Sequence, residues 1–355
     1  MLFFTPLAKM FLTDFPTVRK TPLQKHLKGN KVKCGVCKRK CVISEGKRGF
    51  CEAKENIEGT LYSLTYGNIA AQESRPIEIK PFYHYYPGTT AYTIATFSCN
   101  FRCPWCQNFH LSRSIPHPES SLYTSPEAVL QHALDNNDRG LCISFTEPTL
   151  LFEYALQLFP IGKEADLYCC FVSNGYMSEE ALQMLIVAGL DGLKVDIKGG
   201  NASYKKLGLD DKIPWRNIQL ALEKEIHVEV VYLLVTGFND DLREIDEVLE
   251  KHLRFAGKEV PLHINRYFPA YRYREPATDI EILKEAARRG KKKGIHYVYI
   301  GNVHEIAEIN TYCPSCAEVL IERRTWGLKR VNLTDKKCPS CGEPILLYGK
   351  IGRAA

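Results

Sequence analysis

From about Tyr92 onward, short apolar runs alternate with longer amphipathic ones. AYTIATF, LCISFT, LYCCFV, GLKVDI, VEVVYLLV and PLHINR are apolar, β-branched or aromatic runs of strand length. Between them lie stretches with helical spacing: LLFEYALQLF, EEALQMLIVA, WRNIQLALEKE, DLREIDEVLEKHL and DIEILKEAARRGKKK. A further helix is opened by Ser125 and Pro126, an N-cap residue followed by proline at the first helical position. Six alternating units predict an α/β fold: a parallel sheet, closed or partly closed, with helices outside. Such sheets carry their sites at the carboxyl ends of the strands.

The flanks read differently. The apolar start MLFFTPLAKMFL is broken by Pro6 and Lys9 and lacks the basic flank and cleavage site of a leader, so it predicts a packed N-terminal segment. A β-rich stretch, LYSLTYGNIA, leads into the polar, proline-punctuated run from Arg75 to Gly88. The expected division is an N-terminal segment and cysteine module at 1–58, a connector at 59–88, a barrel at 89–305 and a cysteine-bearing module at 306–355.

Composition narrows the classes. Hydrophobic residues make up 45% and charged residues 25%, the globular average. The 47 basic and 41 acidic residues leave +6, too mild for a dedicated nucleic-acid binder. Much of the excess is local, at residues 19–40 and 288–293, a solvated face or a docking surface for an acidic electron carrier. No run approaches the roughly 18 apolar residues that would span a membrane. Of 14 cysteines, eleven fall into three groups with ligand spacing, which favours metal ligation in a reducing, cytoplasmic compartment over a disulfide framework.

The middle group carries the chemistry. Cys99-Asn-Phe-Arg-Cys103-Pro-Trp-Cys106 follows the first strand of the array, on a loop at the carboxyl face. A [4Fe-4S] cube normally takes four thiolates. Three close ones leave one iron open, able to take the amine and carboxylate of S-adenosylmethionine (SAM) and to pass an electron into its sulfonium. The competing reading is a zinc knuckle completed from Cys142, Cys169, Cys170 or His110. Cys313, Cys316, Cys338 and Cys341 form two C-x2-C knuckles that match a zinc ribbon, with a rubredoxin-like iron site as the alternative. Cys34, Cys37, Cys41 and Cys51 suit either zinc or a second cluster.

At SCNFRCPWCQN the chain resembles the radical SAM superfamily, in the branch of the pyruvate formate-lyase (glycyl radical enzyme) activating enzymes. With its N-terminal cysteine module, RPIEIKPFYHYYPG and FTEPT, it is most similar to the radical SAM member of the AmmeMemoRadiSam system, from about Lys31 to Cys341. The resemblance implies a partial (βα)6 barrel, reductive SAM cleavage to a 5′-deoxyadenosyl radical, and hydrogen abstraction from a protein or peptide. It also implies a reduced ferredoxin or flavodoxin as electron donor, and partner proteins of the Memo and AMMECR types.

The site residues follow by motif. Phe145-Thr146-Glu147-Pro148 stands where the family has Gly-Gly-Glu-Pro, so Thr146 and Glu147 are expected beside the SAM amine, without the two glycines. Val172-Ser173-Asn174-Gly175 resembles the activators' Asp-Thr-Asn-Gly, with Ser173 and Asn174 on the nucleoside and the acidic member missing. Asp196 and Lys198 match Asp-x-Lys, the lysine meeting the SAM carboxylate. His263 is similar to an adenine-side contact, and Trp105 is expected over the adenine or the cluster. Alternative functions are modification of a small molecule or nucleotide, a non-catalytic Fe-S electron carrier, and a nucleic-acid-binding zinc protein using Arg323, Arg324, Lys329 and Arg330.

Overall fold

The computed structural model describes residues 11–304, 306–324 and 327–352. Residues 1–10 of the apolar start, expected to pack, lie outside them. The centre is an eight-stranded sheet: β1 (Ala71–Pro76), β2 (Thr90–Ala95), β3 (Gly140–Ile143), β4 (Tyr168–Ser173), β5 (Gly192–Ile197), β6 (His227–Leu234), β7 (Leu262–Arg266) and β8 (Val298–Gly301). The strands lie side by side in chain order, β2 to β8 parallel and β1 antiparallel to β2. No pairing joins β1 to β8 among the described residues, so the barrel is partial.

The longer helices are α1 (Pro126–Asp135), α2 (Phe152–Glu164), α3 (Glu179–Val187), α4 (Lys212–Glu223), α5 (Leu242–Phe255) and α6 (Ile280–Lys293). Four of these starts are fixed by side-chain caps, from Ser125, Ser178, Asp241 and Asp279; Ser125 Oγ accepts from Ala128 N at 3.2 Å and Ser178 Oγ from Ala181 N at 3.0 Å. Alternation divides each strand. Leu141, Ile143, Cys169, Phe171, Leu193 and Val195 face outward into the core shared with Leu158, Leu182 and Ile218 of the helices. Lys194, Asp196, Val231, Leu233 and Asn265 face the barrel interior.

The sheet has two strands beyond the six expected. YVYIGNV supplies β8. The stretch assigned to the connector supplies β1, so the sheet begins before residue 89. Past Pro76 the same stretch turns into the barrel and plugs its amino end. Phe82 and Tyr85 are fully buried against Cys142, Tyr168 and Cys170.

β3 and β5 begin with glycine because these rings press on them. A Cβ on Gly140 would stand 2.0 Å from the Tyr168 ring, and one on Gly192 2.5 Å from that of Tyr85. Glu229 of β6 pins the plug from within, accepting from Tyr83 N at 2.9 Å and His84 N at 2.8 Å.

The two cysteine modules take opposite ends. The C-terminal module, with strands Thr311–Tyr312, Val319–Arg323 and Leu328–Val331, backs the plug. His84 Nδ1 lies 2.9 Å from the Leu346 carbonyl, and Arg323 donates to the carbonyl of Tyr83 at 2.8 Å. Arg323 is buried there, which takes it out of the basic set offered above for nucleic acid. The N-terminal module sits at the carboxyl end: Lys38 N donates to Tyr176 O at 3.0 Å, Ser178 N to Val36 O at 3.0 Å, and Lys54 pairs with Glu153 at 2.5 Å in full burial.

Candidate functional site

One cavity of about 330 Å³ opens at the carboxyl ends of the strands. Cys99, Cys103 and Cys106 line it together, on the loop that leaves β2. The loop is held from several sides. Arg113 donates to the carbonyls of Phe101 and Cys103 at 2.9 and 3.0 Å, and Arg39 of the N-terminal module donates to that of Asn100 at 2.5 Å. Phe101 N donates to Cys99 Sγ at 3.4 Å, the type of amide contact that stabilises a thiolate. Burial pushes the free Cys99 thiol up to about 12, so a metal there must displace a proton.

The turn after β3 forms the next wall. Phe145 sits at φ 63°, a conformation that favours glycine, in a tight turn closed by Thr146 N donating to Ser144 O at 2.8 Å. A left-handed bulky residue costs about 1–3 kcal/mol and persists only where neighbours over-determine it. They do here: Asn108 Nδ2 donates to the Phe145 carbonyl at 2.7 Å, and Thr146 Oγ1 to the Thr96 carbonyl at 2.9 Å. The backbone thus takes a glycine conformation although both family glycines are gone.

Glu147 is buried and acts as the anchor between β3 and β4. It accepts from Ser173 Oγ at 2.8 Å, Asn174 N at 2.9 Å and the Thr149 hydroxyl. Burial raises its pKa, with these donors opposing. Asn174 Nδ2 donates to Asn100 Oδ1 at 2.7 Å, joining the β4 turn to the cysteine loop. Thr146, Glu147, Ser173 and Asn174 all line the cavity, but these bonds hold the walls together.

Across from them, Lys198 Nζ pairs with Asp196 Oδ2 at 2.7 Å. Burial works against the ammonium, and Asp196 together with the Cys103 thiol outweighs it, so Lys198 stays charged. Trp105 lines the cavity with its ring packed on Phe238 at 4.4 Å and Tyr273 at 5.8 Å between centroids.

His263 is placed elsewhere. Its Nε2 meets Glu229 at 2.6 Å and its ring stands edge-on to Tyr83 at 4.8 Å. The expected adenine-side residue is therefore not among those lining the cavity. Two residues further along β7, Asn265 reaches the cavity instead. Period-two alternation could have named it, as it could have named Lys194, which shares the face of Asp196 and Lys198 on β5. Lys80, Asn108 and Asn302 also line the cavity, and no strand period announces them.

The donor set suits the groups it would hold. Asp196 Oδ1 and Asn265 Oδ1 are buried without a hydrogen-bond partner among the described residues, which leaves acceptors open to the amine and hydroxyl donors of a nucleoside amino acid. At the far end, the Sγ atoms of Cys313, Cys316, Cys338 and Cys341 lie within 4.8 Å of one another, close enough to share a single ion. No helix among the described residues is long and apolar enough to cross a membrane.

A parallel partial barrel whose first loop presents three thiols to one cavity defines a class of cluster-dependent radical enzymes. Residues 93–252 match the Radical SAM superfamily. The chain is 37% identical over 332 residues to the protein MJ0808 of Methanocaldococcus jannaschii, covering 92% of this chain and 99% of that one. It is also 28% identical to the GTP 3′,8-cyclase of Desulforamulus reducens over 45% of this chain and 52% of that one, about half its length. A domain of a pyruvate-formate lyase-activating enzyme from Bacteroides vulgatus overlays with TM-score 0.40 at 14% identity, covering 46% of this chain and 99% of that one. The chain belongs to the radical SAM superfamily.

Proposed function

We propose that this protein cleaves SAM reductively and uses the product to take a hydrogen atom from a substrate held in the barrel. The observation that carries this reading is the convergence of Cys99, Cys103 and Cys106 on one cavity with the unsatisfied acceptors of Asp196 and Asn265. A [4Fe-4S] cluster, when bound, supplies the electron that splits SAM into methionine and the 5′-deoxyadenosyl radical.

The chain's own residues do the rest. The three thiolates would ligate three irons of that cluster, and Lys198, kept charged by Asp196, would offer a cation to the SAM carboxylate. Carbonyls of the Phe145–Thr146 turn face the amine, and the plug below Lys80 excludes water from the amino end.

For the substrate, resemblance to the activating enzymes supports a protein or peptide, with a reduced ferredoxin or flavodoxin as donor and Memo-type and AMMECR-type partners. A small molecule or nucleotide is the second reading, favoured by the charge on the cavity floor. Zinc is proposed for the C-terminal four-cysteine group on its tight gathering. The N-terminal group is proposed to hold zinc or a second cluster.

The test is anaerobic reconstitution followed by an assay for 5′-deoxyadenosine and methionine, with Cys103→Ala as control. Equal product from the two proteins would sink the reading.

A further inference from the structure

The cavity floor carries positive charge that SAM cleavage leaves unused. Lys80 rises from the plug and Lys194 points inward from β5, two positions deeper than Asp196. They are 4% and 6% exposed, and both line the cavity. Neither has a carboxylate partner among the described residues. Asp196 favours the Lys194 ammonium by its charge but bonds Lys198 through Oδ2 at 2.7 Å, and Glu73, the acid on neighbouring β1, is engaged by Arg75 at 2.7 Å. Lys80 has the Phe145 ring 4.1 Å away, Cys142 is near both amines and Cys170 is near Lys80.

A buried ammonium costs several kcal/mol unless it is paired, and two near each other add repulsion. Burial lowers Lys194 to about 8, which still leaves its charged form in the majority at neutral pH. A barrel interior that keeps two such groups, both aimed at open space, is built to receive negative charge.

We propose that Lys80 and Lys194 bind the carboxylate or phosphate group of a small-molecule substrate at the cavity floor, deeper in the barrel than Lys198. This rests on the reading of the cavity as a radical-generating site, and it names the substrate class which that reading left open. A glycyl residue in mid-chain offers no such charge and would leave both ammoniums unpaired. Lysine is a compact point charge without the planar fork of arginine, so the pair accepts either oxyanion.

The test is calorimetric titration of the reconstituted wild-type protein with inorganic phosphate and, separately, acetate, at constant chloride, with and without saturating SAM. One saturable site is expected for at least one anion, retained in the presence of SAM. The stronger binder identifies the headgroup. Lys80→Met and Lys194→Met should each weaken it roughly tenfold or more, the scale of one charge-assisted contact. No saturable binding, undiminished binding in both variants, or displacement of the anion by SAM would overturn the proposal.

Amine labelling of the wild type, mapped by mass spectrometry, needs no variant. The bound anion should slow modification of Lys80 and Lys194 several-fold, and unchanged rates would count against the site. Deoxyadenosine formation by the same preparation reports separately on SAM cleavage. A protein that cleaves SAM but binds neither anion sinks this inference alone; one that binds the anion without cleaving SAM sinks the functional reading instead.

Discussion

Ser98 Oγ donates to the carbonyl of Cys51 at 2.6 Å, across 47 residues of chain. The residue before the first cysteine of the barrel loop is thereby tied to the last cysteine of the N-terminal module, and Arg102 adds a bond to Phe50 O at 3.0 Å. The module is a brace on the loop that holds the three thiols.

Ser98→Ala removes that link and leaves the Cys51 carbonyl without it, at a cost of about 1–2 kcal/mol. Hydrogen exchange at residues 49–53 and 99–106 should accelerate together. Acceleration on one side alone would show that the two segments are not braced to each other.

Lys54 and Glu153 form a pair with only 4% of each side chain exposed, between the N-terminal module and α2. Lys54→Met strands a buried carboxylate and should cost roughly 3–5 kcal/mol, while Lys54→Met with Glu153→Leu recovers most of it. Chemical denaturation of the two proteins checks the difference. Equal destabilisation would mean the pair is not the source.

His84 is buried, and burial lowers its pKa from 6.5 to about 3. Its neutral form is the folded one, so its stabilising effect is complete above pH 6.5 and falls as the pH drops towards 3. The slope is about 1.4 kcal/mol per pH unit, or roughly 2 kcal/mol between pH 6.5 and 5. Denaturation midpoints measured across that window should flatten in His84→Gln relative to the wild type.

Lys194→Met removes an unpaired buried charge and should raise the melting temperature, by roughly 1 kcal/mol or more in free energy. Calorimetry at pH 7 checks the sign. A lower melting temperature would mean that the wild-type amine has a partner in the folded protein.

The six expected strands were legible because each is a short run dominated by apolar, β-branched or aromatic residues between helical stretches, and Ser125-Pro126 marked a helix start by local chemistry alone. The plug was not legible. Phe82, Tyr83, His84 and Tyr85 follow prolines in a stretch with no period, and what buries them are Tyr168, Glu229 and Tyr299, far along the chain.

In the site, the cysteines were readable from spacing and the Asp196–Lys198 pair from its resemblance to the Asp-x-Lys motif. His263 lies off the cavity lining although its register partner Val231 is part of it, because its ring turns to Glu229 and Tyr83, partners that no strand period announces. The role of Glu147 as an anchor needed its three-dimensional partners to be seen.

The aromatic plug, backed by the C-terminal module, closes the amino end of the barrel, so Lys80, Lys194 and the three cysteines line one cavity that opens at the carboxyl ends of the strands. A molecule held by Lys80 and Lys194 would share that cavity with whatever the three cysteines hold. The cavity's space of about 330 Å³ would then be divided between the two occupants, so the bulk of the group kept at the cysteines sets the size of the molecule that fits beside it.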